Sequence, residues 1–172
     1  MNYEEWEKSV PDTIKADSLW KMTAYRLALF LRDIGWFDVT KLLRDRRTVD
    51  VAGQLYEALG SISANLAEGY SRGTGKDRAR FYEYSLGSAR ESRDWYYGGR
   101  YVLGDAVVQH RMQFLSRVAS LLLVMVPEQR GRTLREDPAP YFAETGEFLA
   151  DNLTDLSEFD DLLTNVPLPN DV

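Results

Sequence analysis

Apolar residues recur along this chain at spacings of three and four in four successive runs, and each run predicts an amphipathic α-helix. In "DSLWKMTAYRLALFLRDIGW" the stripe is Trp20, Ala24, Leu27, Leu31 and Ile34, with Asp17 or Ser18 as the N-cap and Gly35 as the stop. The second run starts near Thr48 or Asp50 and ends at Arg72, with Val51, Leu55, Leu59, Ile62, Leu66 and Tyr70 on its core face. Small residues Ala58, Gly60, Ala64 and Ala67 flank that face. A glycine inside a helix costs about 1 kcal/mol against alanine, so Gly60 points to close packing.

The third run opens at "TGKDRARF", where Thr74 and Asp77 approximate a capping box and Gly73 suits a left-handed residue closing the helix before it. It continues through Phe81, Tyr82, Leu86, Ala89, Trp95 and Tyr96 to about Tyr101, with Gly98-Gly99 fraying or bending its end. Asp105 caps the fourth run, in which Val108, Met112, Leu115, Ala119, Leu122 and Val126 keep the same spacing until Pro127 ends it. No stretch alternates like a strand between hairpin turns. The expected fold is all-α: an antiparallel up-down four-helix bundle over residues 17–133, after an N-terminal extension at 1–16.

Beyond it, residues 134–172 form an acidic C-terminal extension. Leu149, Leu153, Leu156, Phe159 and Leu163 predict one short amphipathic helix there, and "VPLP" predicts extended chain. Charge sharpens this division. The net charge of −6 hides 20 Lys+Arg against 17 Asp+Glu in residues 1–133, and one Arg against ten acids in residues 134–172. A mildly basic body thus carries a strongly acidic tail, the mark of an interaction tail or a self-shielding one. At 172 residues and 44% hydrophobic content the chain has enough material for one full core.

No cysteine is present, which excludes disulfides, thiolate metal sites and a cysteine nucleophile and fits a reducing cytoplasm. The acidic start "MNYEEWEKSV" has no apolar signal core, and no apolar run approaches the ~20 residues of a membrane span, so a soluble cytoplasmic protein is expected. His110 is the only histidine, and no metal-ligand spacing or phosphate-binding glycine loop occurs. No catalytic residue, metal site or cofactor is therefore assigned, and the protein is read as a non-enzyme.

A second stripe runs beside the leucines of the second helix. At 100° per residue Ser61, Asn65, Glu68 and Arg72 share one face, with Glu68 and Arg72 in the favourable i,i+4 order. On the third helix Arg80, Tyr84, Gly87 and Glu91 form a companion row, and Gly87-Ser88 leaves room for a close backbone approach. Either the rows are solvated surface, or Ser61, Asn65, Glu68, Arg72 and Glu91 make an enclosed polar network that sets helix and subunit geometry. Two basic clusters accompany them: Arg72, Lys76, Arg78 and Arg80 at the hairpin, and Arg44, Arg46 and Arg47 before the second helix. Repeated around an oligomer, either would build a phosphate-binding surface; alone, each simply solvates a helix end.

The stretch "GQLYEALGSISANLAEGYSRGTGKDRARFYEYSLGSARES" resembles the signature of the 23S rRNA intervening-sequence proteins. Gln54, Leu55, Ser61, Ile62, Asn65, Ala67, Glu68, Gly69, Arg72, Phe81, Gly87, Ser88 and Glu91 stand at matching places. Leu66 replaces an isoleucine, Glu57 an arginine, Tyr82 and Ser85 a leucine and an alanine, and Ser92 a leucine. The resemblance implies a four-helix bundle that assembles as a homopentamer. It also implies kinship with accessory proteins of diversity-generating retroelements, which present a basic surface to nucleic acid and to a reverse transcriptase. Two functions follow as expectations: a nucleic-acid-associated accessory or scaffold factor binding RNA or DNA, or a protein–protein adaptor whose acidic tail docks a partner or the protein's own basic surface.

Overall fold

The computed structural model describes residues 2–130 and 159–170, and among them every regular element is helical. Two short helices, α1 (Tyr3–Ser9) and α2 (Asp12–Lys15), and a 3₁₀ turn at Ser18–Lys21 lead into four long ones. These are α3 (Thr23–Leu42), α4 (Val49–Tyr70), α5 (Gly75–Leu103) and α6 (Asp105–Arg130), followed after the undescribed stretch by α7 (Asp160–Thr164). Each long helix packs on the next in sequence, and α3 and α6 meet much more sparingly.

The leucine stripes meet in one core. Leu27, Leu31 and Ile34 of α3, Leu55, Leu59, Ile62 and Leu66 of α4, and Leu115 and Leu122 of α6 have no exposed surface. Burying each such side chain contributes about 1.5–3 kcal/mol. Residues 3–10 enter the same core: Tyr3, Trp6 and Val10 are buried. Trp6 lies 5.2 Å from the Phe30 ring and donates from Nε1 to Asp33 Oδ2 at 2.6 Å. The N-terminal segment thus packs on α3 through Trp6, and residues 159–170 lie against α6 and meet α1.

Four boundaries differ from the pattern-based expectation, each for a packing reason. The first long helix starts at Thr23, because Asp17 caps the 3₁₀ turn by accepting from the Leu19 amide at 2.8 Å. It runs through Gly35, which serves as a contact point: a Cβ there would lie 2.5 Å from Leu59 Cδ1. Gly99 likewise lies inside α5, where a Cβ would come within 2.9 Å of Leu42 Cδ2, so Gly98-Gly99 does not end that helix. Pro127 sits inside α6, whose last turn is held by Arg130 Nη2 donating to Glu83 Oε2 at 2.6 Å.

The left-handed backbone position is Gly104, φ 86°, between α5 and α6; Gly73 does not take that conformation. Thr74 does cap α5, its hydroxyl accepting from the Asp77 amide at 3.1 Å. Of the predicted tail helix, Leu149, Leu153 and Leu156 lie outside the described residues. Phe159 and Leu163 are buried, Phe159 with its ring 6.5 Å from that of Phe114.

Candidate functional site

The hairpin joining α4 to α5 gathers Arg72, Lys76, Arg78 and Arg80 at one end of the helix pair, but their surroundings differ. Arg72 pairs with Glu68 one turn back and lies with its guanidinium carbon 4.6 Å from the Phe81 ring centre. Arg78 Nε donates to the Arg72 carbonyl at 2.8 Å, serving the C-terminal end of α4, where carbonyls lack helical partners. Lys76 and Arg80 project outward, Arg80 5.4 Å from the same Phe81 ring. The hairpin therefore offers two outward cations and two that are partly committed to holding the turn.

The second cluster is elsewhere. Arg44, Arg46 and Arg47 precede α4, whose 22 residues span ~33 Å. Arg47 is clamped on Asp45 through Nε and Nη2, at 2.9 and 2.5 Å, and this pairing holds the Asp45 carboxyl well below the ordinary carboxylate range. One chain does not merge the two clusters into a single surface.

The polar row of α4 is present and is stitched along its own helix. Ser61 Oγ donates to the Glu57 carbonyl at 2.9 Å, Asn65 Nδ2 donates to the Ser61 carbonyl at 2.8 Å, and Arg72 donates to Glu68. Ser61 and Asn65 are half-buried; the Glu68 side chain is 52% exposed. Among the described residues no helix encloses Glu68. Glu91 is not joined to the row within one chain: it is exposed and accepts from Trp95 Nε1 at 3.2 Å. Arg80, Tyr84 and Gly87 of the companion row are exposed as well.

A polar centre that the sequence reading did not assign lies inside the molecule. Asp38 on α3 and Arg111 on α6 form an ion pair without exposed surface, Nε to Oδ2 at 2.8 Å and Nη2 to Oδ1 at 3.2 Å. Tyr96 of α5, also fully buried, donates its hydroxyl proton to Asp38 Oδ2 at 2.7 Å, so three long helices meet on one carboxylate. Burial and the neighbouring Asp38 charge push the Tyr96 phenol well up, which keeps it the donor.

The centre extends to the C-terminal segment. Arg111 Nη2 donates to the Pro167 carbonyl at 2.9 Å, and Lys41 Nζ donates to that of Asn170 at 2.9 Å. His110 Nε2 lies 2.8 Å from the Leu162 carbonyl, which can only accept, so Nε2 carries the proton. Nδ1 is then free to accept from Arg111 Nη1 at 2.7 Å. Burial and the adjacent Arg111 cation push the histidine down to about 4, so it is neutral at pH 7. With every partner satisfied and no exposed surface on Asp38, Tyr96 or Arg111, this cluster holds elements together rather than meeting a substrate.

Among the described residues no three His, Asp or Glu side chains gather as a metal-ligand set, and no helix is long and apolar enough to cross a membrane.

Residues 21–102 match the protein-family model described as 23S rRNA-intervening sequence protein. The matched span, slightly under half of the chain, runs from the end of the 3₁₀ turn to the last turn of α5. It takes in the polar row, both basic clusters, Asp38 and Tyr96, and stops short of His110, Arg111 and the C-terminal segment. No match was found among curated proteins or among solved structures.

Proposed function

We propose that this chain is a non-enzymatic member of the 23S rRNA-intervening sequence protein family, acting as a nucleic-acid-associated accessory or scaffold factor in the cytoplasm. In this reading α3 to α6 form an antiparallel up-down bundle, since the six-residue, four-residue and single-residue connections between them leave room only for sharp reversals of the chain. The observation that carries the reading is the family match over 21–102 together with the hairpin inside it, where Lys76 and Arg80 point outward. The chain assembles with copies of itself through the α4 row, so that hairpin cations repeat around a ring. A pentamer and a reverse-transcriptase partner are the finer form of the same reading and rest on the resemblance alone.

An electrophoretic mobility shift with single-stranded and duplex RNA and DNA over a salt series tests it. Binding should weaken steeply between 50 and 200 mM salt, in the manner of phosphate contacts, and the Lys76→Glu, Arg80→Glu pair should abolish it. Salt-independent binding, or none to any probe, overturns the reading.

The adaptor alternative has its own support: residues 159–170 dock on the body of the chain. The contacts are main-chain carbonyls and the buried Phe159 and Leu163, with no acid-to-base pairing to the hairpin among them. If the acidic tail shields the basic body, truncation after Arg132 tightens RNA or DNA binding at low salt; unchanged binding retires the shielding idea.

A further inference from the structure

At the hairpin side of the molecule the start of α3, the end of α4, the start of α5 and the end of α6 surround a cleft of about 280 Å³. That is slightly smaller than the ~300–1,000 Å³ of sites for drug-sized ligands, and suits a single ring system. Its apolar lining comes from Met22, Ala24, Leu121 and Met125, with Tyr70 and Tyr82 beside them. Tyr82 is fixed in place: it is 3% exposed and packed so closely on Gly69 that a Cβ there would lie 2.8 Å from its Cε1. Its hydroxyl has no hydrogen-bond partner among the described residues, although the ring lines the cleft. Tyr70 is 38% exposed, so its ring is open to a ligand.

The rim carries charge of both signs in an ordered way. Lys21 is exposed, and Arg78 is tethered through Nε to the Arg72 carbonyl, which leaves its two Nη groups for another acceptor. Gly75 sits so close to the Gln129 carbonyl that a Cβ would come within 2.3 Å of it, which sets the start of α5, with Arg78, against the end of α6 at the opening. Glu128 contributes one carboxylate to the same rim.

The open Tyr70 ring, two polarisable methionines and two cations at the mouth form a receptor for a planar ring bearing an anion. We propose that this cleft holds one unstacked base of a single-stranded nucleic acid, with a flanking phosphate on Lys21 and Arg78. The inference rests on the nucleic-acid reading above and adds to it a place, a strand state and a base preference. A duplex would have to extrude a base to fill the cleft, whereas a single strand presents one at little cost. Glu128 repels phosphate and accepts hydrogen bonds, which favours a base with an exocyclic amino group, cytosine over uracil.

Fluorescence anisotropy with end-labelled oligocytidylate and oligouridylate of about 12 nucleotides, and a duplex of equal length, tests this on the full chain. Wild type should bind the single-stranded cytidylate about tenfold more tightly than the duplex and several-fold more tightly than the uridylate. Met125→Trp, which fills the cleft, should bring single-strand affinity down to the duplex level without changing duplex binding. Glu128→Gln, an exposed change with no folding risk, should erase the cytosine preference. Arg80→Glu, outside the cleft, should weaken all probes alike. If Met125→Trp fails to fold, Lys21→Ala takes its place, with the same selective loss for single strands expected. Equal affinity for single strand and duplex, or a strand preference that survives the cleft variants, overturns the cleft while leaving the nucleic-acid reading intact. No binding to any probe overturns both.

Discussion

Two arginine–carboxylate pairs in this molecule have nearly opposite surroundings. Glu68 and Arg72 sit one turn apart on α4 with side chains 52% and 42% exposed. Asp38 and Arg111 come from helices 73 positions apart in sequence and have no exposed side-chain surface. Water and salt screen the first pair, so it contributes only a few tenths of a kcal/mol to the fold of one chain. The second is bidentate, shared with Tyr96, and unscreened. Its attraction is offset by the cost of taking both ions out of water, so its role is to fix which helices meet and in what register. Similar chemistry thus lies open to water in one place and ties three helices together in the other.

Breaking the buried pair one partner at a time has the largest expected effect. Asp38→Ala strands the Arg111 guanidinium and the Tyr96 hydroxyl, and should cost about 3–5 kcal/mol in urea unfolding followed by circular dichroism. A double replacement, Asp38→Leu with Arg111→Met, should recover much of that loss, because no unpaired charge remains. A small loss in the single variant would mean that water reaches the site.

The next effect is a pH dependence carried by His110. Its unfolded pKa is near 6.5 and its folded pKa is depressed to about 4, so between these values the unfolded chain binds more protons. Stability from the neutral form is complete above pH 6.5 and is lost as pH falls toward 4, by on the order of 2 kcal/mol. His110→Gln, which can still donate to the Leu162 carbonyl, should flatten the slope of unfolding free energy against pH in that window. An unchanged slope would assign the acid sensitivity to carboxylates instead.

Thr74→Ala comes third. Removing the hydroxyl that accepts from the Asp77 amide should cost about 1 kcal/mol in the same unfolding assay. Thr74→Ser should cost much less, since it keeps the cap.

Periodicity made the apolar interior readable: the leucines expected on α3, α4 and α6 all have no exposed surface. The hairpin and its Thr74 cap were readable too, because short polar residues before an apolar run have a local job. The buried centre leaves only a faint trace in the sequence. Asp38 continues the Leu27, Leu31, Ile34 stripe by four residues, and Arg111 precedes Leu115 by four, so opposite charges stand on two core faces. Such residues are almost never fully buried unless paired. Which helix supplies the partner is a long-range fact that spacing does not contain. Gly35 and Gly99 escape the pattern for the same reason, since a stop and a close contact look alike in one dimension. The contribution of residues 3–10 to the core was equally hidden, because two aromatic residues in an acidic heptad make no stripe.

The smallest effect on stability is the most informative about the exposed pair. Glu68→Ala should change unfolding free energy by less than about 0.5 kcal/mol at low concentration, because one chain leaves the pair in water. If the α4 row is a contact between copies, the same substitution leaves Arg72 unpaired in an interface, where loss of one partner weighs several-fold more than on a surface. The two measurements then diverge: denaturation midpoints stay put while the mass from multi-angle light scattering falls. A mass that also stays put would assign the row to solvent. Ser61, Asn65, Glu68 and Arg72 would then be a helix stabilising itself turn by turn, and the hairpin cations beyond them would have to act without a ring to repeat them.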